Sequence, residues 1–90
     1  MEIVLAPKLD GSATSSLHEA LLEMHGRDVI LKGHAVRHLG AMALQVLIAA
    51  RKTWLDDGAS LRVDAPSEAL LAGLARLGTS IDAITVEAAR

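Results

Sequence analysis

Between Asp28 and Val63 the apolar pattern changes period twice, and that change limits what the chain can build. Asp28-Val29-Ile30-Leu31-Lys32 has a continuous aliphatic centre, which reads as a strand buried on both faces of a parallel sheet. Gly33 ends it, and a loop is expected to run to His38. A long helix then spans Leu39 to Asp56, closed by Asp57-Gly58, and Leu61-Arg62-Val63 reads as the next strand. Strand, helix and strand in that order make a parallel β-α-β unit, whose crossover is right-handed in about 98% of cases. The first half of the long helix is apolar nearly all round, so it is either deeply packed or presents a face to a partner.

The flanking segments continue the alternation. Ile3-Val4-Leu5 is a short apolar strand, interrupted by Pro7, and Lys8-Leu9-Asp10 forms a brief second strand or a turn. The run Gly11 to Ser16 supplies N-cap candidates for a helix whose apolar face is Leu17, Ala20, Leu21 and Met24, with Gly26 as its C-cap. Pro66 suits the first position of another helix, with Glu68 in its first turn and Leu70, Leu71, Leu74 and Leu77 as a buried stripe ending at Gly78. Ile84-Thr85-Val86 reads as an edge strand. The expectation is one α/β domain over residues 1–90: a mixed four- to five-stranded sheet with about three helices predominantly on one face.

Composition narrows the function. Hydrophobic residues make up 51% of the chain, yet there is no Phe or Tyr, so Leu, Val, Ile, Ala and Met must fill the core. The net charge is -2 and the nine Lys and Arg residues are scattered, which argues against a nucleic-acid partner: phosphate binding needs a basic stripe. Zero cysteines exclude disulfides, thiolate metal sites and a cysteine nucleophile. The start of the chain lacks the features of a signal peptide. The apolar tract Leu39 to Ala50 is too short to span ~30 Å of hydrocarbon, so a cytoplasmic protein without membrane insertion is expected.

The chemical candidates are weak. His34 and His38 are four apart, but Gly33, Val36 and Gly40 suggest a loop, and no third ligand lies close in sequence. Ser12, Thr14, Ser15 and Ser16 lie near His18, where capping and turn chemistry explain them. Asp56-Asp57 falls at a helix end, and no nucleophile elbow or phosphate-cradling glycine loop is present. The expectation is no enzyme, no cofactor and no metal. Trp54 is either an interface anchor or a cap on the core. Arg51 and Lys52 read as a solvated face that, with Arg37, could steer an acidic partner.

The order of elements resembles a STAS domain, the anti-sigma-factor-antagonist fold, and the local sequence follows it. Leu5-Ala6-Pro7-Lys8-Leu9-Asp10 resembles the family's opening. Asp28-Val29-Ile30-Leu31, a short loop and Leu39-Gly40-Ala41 resemble its central strand and helix start. Asp57 to Val63 resembles the glycine turn and strand that follow, and Pro66 to Leu77 the next helix. In the family the loop before the long helix often reads Asp-Ser-Ser-Gly, and its first serine is phosphorylated by a histidine-kinase-like ATPase. The matching positions here are Arg37, His38, Leu39 and Gly40, with His38 in the place of the phosphoserine. Only the glycine matches, and no Ser or Thr lies between Gly33 and Ala43, so the usual phosphoserine switch is absent.

The resemblance implies a module that binds and modulates a partner protein, a histidine kinase or related ATPase, as in stand-alone members of bacterial chemotaxis systems. Two alternatives stand beside it: an accessory subunit of a lipid-transporting ABC complex, and an anti-sigma pathway component without its phosphorylation site. The expected partner surface is Arg37, His38, Leu39, Gly40 and Met42, with Leu39 and Met42 burying apolar area on docking. Gly40 also has a purely structural reading, as a residue that permits close backbone approach.

Overall fold

The structure is a computed structural model that describes residues 1–87; the end of the expected 1–90 domain, residues 88–90, lies outside the described residues. Its elements are β1 (Glu2–Val4), β2 (Lys8–Leu9), α1 (Gly11–Glu23), β3 (Val29–Lys32), β4 (His38–Leu39), α2 (Ala41–Asp57), β5 (Leu61–Asp64), α3 (Glu68–Arg76) and a closing 3-10 turn, Ile81–Ile84. The α/β class and the three helices are as expected. The sheet is not a single mixed one. β1, β3 and β5 form a three-stranded parallel sheet with β3 at its centre, and β2 and β4 form a separate parallel pair.

Pro7 explains the split. It has no N–H to continue β1, and its carbonyl instead accepts from the Arg37 and His38 N–H groups at 2.7 and 3.0 Å. Beyond it the chain pairs again, Lys8 with His38 and Leu9 with Leu39. The expected edge strand at Ile84 to Val86 is a 3-10 turn followed by one antiparallel bridge between Val86 and Leu61.

β3 is enclosed on one face only, which corrects the expectation of burial on both. Ile3, Leu31 and Val63 share a register row, as do Val29 and Leu61, and these side chains turn toward the helices. The alternate rows, Glu2-Ile30-Arg62 and Val4-Lys32-Asp64, turn away. On that open face the Lys32 ammonium donates to the Asp64 carboxylate at 2.6 Å and stands 3.9 Å from Glu2. The hydrogen bond raises the Lys32 pKa and holds the Asp64 carboxyl below its ordinary range.

The core lies between the sheet and the helices. α1 contributes Leu17 and Leu21, α2 contributes Ala43, Leu44, Leu47, Ala50 and Trp54, and α3 contributes Leu70 and Leu74. Trp54 is a core residue: it is 2% exposed and its indole N–H donates to the Arg27 carbonyl at 2.7 Å. Leu71 and Leu77, expected in the α3 stripe, face solvent instead. α3 also starts later than Pro66 suggests, because Ser67 is the better cap. Its hydroxyl accepts from the Leu70 N–H at 3.0 Å and donates to the Val36 carbonyl at 2.6 Å, tying α3 to the segment before β4. At the start of α1 the N-cap is Asp10, and the Ser and Thr candidates lie inside the first turns. Its C-cap is Met24, two residues before Gly26.

Candidate functional site

β4 decides where the residues before the long helix point. The sequence suggested a loop through His38, but pairing with β2 makes His38–Leu39 a strand, and successive side chains on a strand take opposite sides. His38 turns out to solvent and Leu39 turns in, where it is 1% exposed. The placement of Leu39 on the partner surface is therefore corrected: it is a core residue lying over its pairing neighbour Leu9 and under α3. α3 crosses it at Gly73, where a methyl group would come within 3.0 Å of the Leu39 Cβ.

Gly40 is also explained by close approach. Its N–H donates to the Leu9 carbonyl at 2.9 Å, and a Cβ at this position would stand 2.8 Å from the same oxygen. The chain then enters α2, with the Leu44 N–H closing the first turn on the Gly40 carbonyl at 3.1 Å. Gly40 acts as N-cap without a side chain to contribute.

Four of the five expected residues remain at this junction. Arg37 and His38 are exposed on the rim formed by the β2–β4 pair, beside Lys8, and the His38 Nε2 stands 4.0 Å from Asp10 Oδ2. Gly40 lies against Leu9 and Asp10. Met42, in the first turn of α2, is 65% exposed. The rim is thus polar and of mixed charge, and the helix beginning beside it opens on a large apolar side chain.

That helix face continues further than the sequence reading carried it. Ala41, Gln45, Ile48, Lys52 and Leu55 are exposed at alternating four- and three-residue spacing, with Met42 and Ala49 beside them. Ile48 and Leu55 are 44% and 54% exposed. Both were legible as apolar positions, and the signal that places them outside is Gln45 and Lys52 on the same stripe, since the buried stripe carries no polar residue. Arg51, expected to be solvated, is half-buried and donates from Nε to the Thr85 carbonyl at 3.1 Å.

His34 sits in the turn after β3 and His38 in β4, so the two do not share a helix face. Among the described residues no three His, Asp or Glu side chains gather to hold a metal ion. Among them, too, no helix is long and apolar enough to cross a membrane. The chain matches no family model, no curated protein and no solved structure.

Proposed function

We propose that this chain is a non-enzymatic docking module of the STAS type, which binds a chemotaxis-type histidine kinase or related ATPase and modulates it without a phosphoserine switch. The observation that carries the reading is the outer face of α2, where Met42, Ile48 and Leu55 stand exposed on one helix that starts beside the Arg37–His38 rim. Ile48 and Leu55 share one line of that helix, and Met42 lies about a third of a turn round it; exposed large apolar side chains with a polar rim alongside have the composition of a protein-binding surface. The order of elements and the parallel β3-α2-β5 unit support the family resemblance. The loop and β4 residues from Gly33 to Leu39 carry no hydroxyl side chain to accept phosphate, so control would pass through the partner.

The partner surface is Arg37, His38, Gly40 and Met42, extended along the helix by Ile48 and Leu55. The test is affinity capture of the tagged chain from its native lysate, with the double variant Met42→Asp, Leu55→Asp as control. Both positions are exposed, so the variant should fold and lose the partner. A histidine kinase captured by the wild type alone, and bound at least about tenfold more weakly by the variant in purified form, supports the reading. Capture of ABC transporter subunits would move the function to lipid transport, and equal capture by both forms would remove this surface.

A further inference from the structure

The two edges of the three-stranded sheet are treated differently. β5 is covered at its first residue by the chain itself: Leu61 exchanges both backbone hydrogen bonds with Val86, at 2.9 and 2.7 Å. β1 pairs with β3 on one side, and among the described residues nothing pairs with it on the other. The Met1 carbonyl accepts from Ile30 and the Leu5 N–H donates to Lys32, so the odd residues of β1 turn their backbone toward β3. By the alternation of a parallel ladder, Glu2 and Val4 turn their N–H and C=O groups outward.

Beside this edge runs a groove of about 440 Å³ between β1 and α1. Its floor is apolar, with Ile3, Ala6 and Leu17, and its α1 wall is built from small residues, Ala13, Ser16 and Ala20. Val4 is 64% exposed at the rim. Of the usual protections β1 has only its three-residue length and Glu2, whose charge stands 3.9 Å from Lys32 on the open face; it holds no lysine, proline or bulge.

We propose that this edge is a homodimer seam, in which β1 of a second copy pairs antiparallel to β1 about a twofold axis at Ile3. The register is self-complementary. Glu2 faces Val4 of the other copy, and because both carry outward backbone groups, the two equivalent pairs exchange four hydrogen bonds. Ile3 meets its own counterpart on the helix side, and the two α1 grooves close over a shared apolar strip, with Ala13 and Ser16 small enough for close approach. The product is a continuous six-stranded sheet, a common sheet size, in place of two three-stranded ones. A three-residue seam is short, so half-association is expected at roughly 10–100 μM.

The chain has no cysteine, so engineered cysteines report the register cleanly. The variant Ile3→Cys should form a covalent dimer under mild oxidation, because Ile3 meets its own counterpart in a non-hydrogen-bonded pair, where opposed side chains come closest. Glu2→Cys alone should not, since its symmetry mate lies one diagonal further along. Sedimentation of the wild type should show a concentration-dependent dimer. Val4→Pro, which removes an outward N–H that β3 does not use, should weaken it at least tenfold, as should Ser16→Arg on the exposed α1 wall, both with melting curves unchanged at concentrations where the wild type is monomeric. A wild type that stays monomeric at millimolar concentration would leave the edge to an extended segment of another protein and overturn the proposal. A dimer indifferent to both Val4→Pro and Ser16→Arg would overturn the seam.

Discussion

α2 has two faces that both carry aliphatic side chains and meet opposite fates. Ala43, Leu44, Leu47, Ala50 and Trp54 lie against the sheet, while Ala41, Met42, Ile48, Ala49 and Leu55 look into solvent beside Gln45 and Lys52. Two polar residues mark the outer face, and the direction in which the chain enters the helix turns that face away from the core. The β2–β4 pairing fixes that direction: it turns Leu39 inward, holds Gly40 against the Leu9 carbonyl, and so sets which stripe of α2 meets the core. Residues three positions apart, Leu39 and Met42, therefore play opposite parts.

The hardest test of that division is Leu39→Asp. A carboxylate at a site 1% exposed has no partner, and burying it should cost roughly 4 kcal/mol or more, a large share of the stability of a domain this small. The fluorescence of Trp54, the only aromatic residue, would report the loss in a denaturant titration. A Leu39→Asp protein with near-normal stability would mean that β4 does not hold the orientation described here.

Gly40→Ala asks about the hinge between the two faces. Its new methyl group meets the backbone oxygen of Leu9 at 2.8 Å, a neighbour that cannot rotate away. Overpacking of this kind typically costs about 1–3 kcal/mol, and the same titration measures it. A neutral Gly40→Ala would show that β2 and α2 can separate without loss, and would weaken the link between strand pairing and helix orientation.

Met42→Asp sharpens the comparison from the other side. With 65% of the residue already in water, the substitution should change stability by no more than about 0.5 kcal/mol. Loss of stability approaching that of Leu39→Asp would show that the outer face is covered within the folded chain.

These contrasts mark how far the sequence could be read. The central β-α-β unit was legible because Val29-Ile30-Leu31 and Leu61-Arg62-Val63 carry their own periodicity, and Pro7 was legible as an interruption. The strand at His38–Leu39 was not, because two residues hold no period and their partner, Lys8-Leu9, lies 30 positions away. That one omission reversed the direction of Leu39. Likewise β3 looked buried on both faces because Ile30 is aliphatic, whereas its row is shared with Glu2 and Arg62 and stays open. Of the candidate site, Arg37, His38 and Gly40 were read from their register in the resemblance, and Met42 from its place at the start of the long helix. Ile48 and Leu55 were missed, although Gln45 and Lys52, at three- and four-residue spacing from them, mark that side of the helix as the polar one.

The smallest effect belongs to the open face of the sheet, where charge replaces apolar packing. Asp64 is exposed and bonded to Lys32, and its folded pKa lies below the ordinary 3.8. Its contribution is therefore complete above that value and lost as pH falls through the lower, folded one. Lys32 is shifted the other way, so its contribution is complete below 10.5 and lost as pH rises through the folded value. Asp64→Asn removes the first and the larger part of the second, leaving Lys32 only Glu2. At neutral pH and low salt the variant should melt slightly below the wild type. The gap should close as pH drops past 3.8 toward the folded value, and should shrink with added salt because the pair is exposed to solvent. A gap that survives strong acid and high salt would mean that the substitution acts through the local geometry at the end of β5 rather than through charge. In that case the open face would depend on local geometry as the enclosed face does, and the contrast between them would narrow.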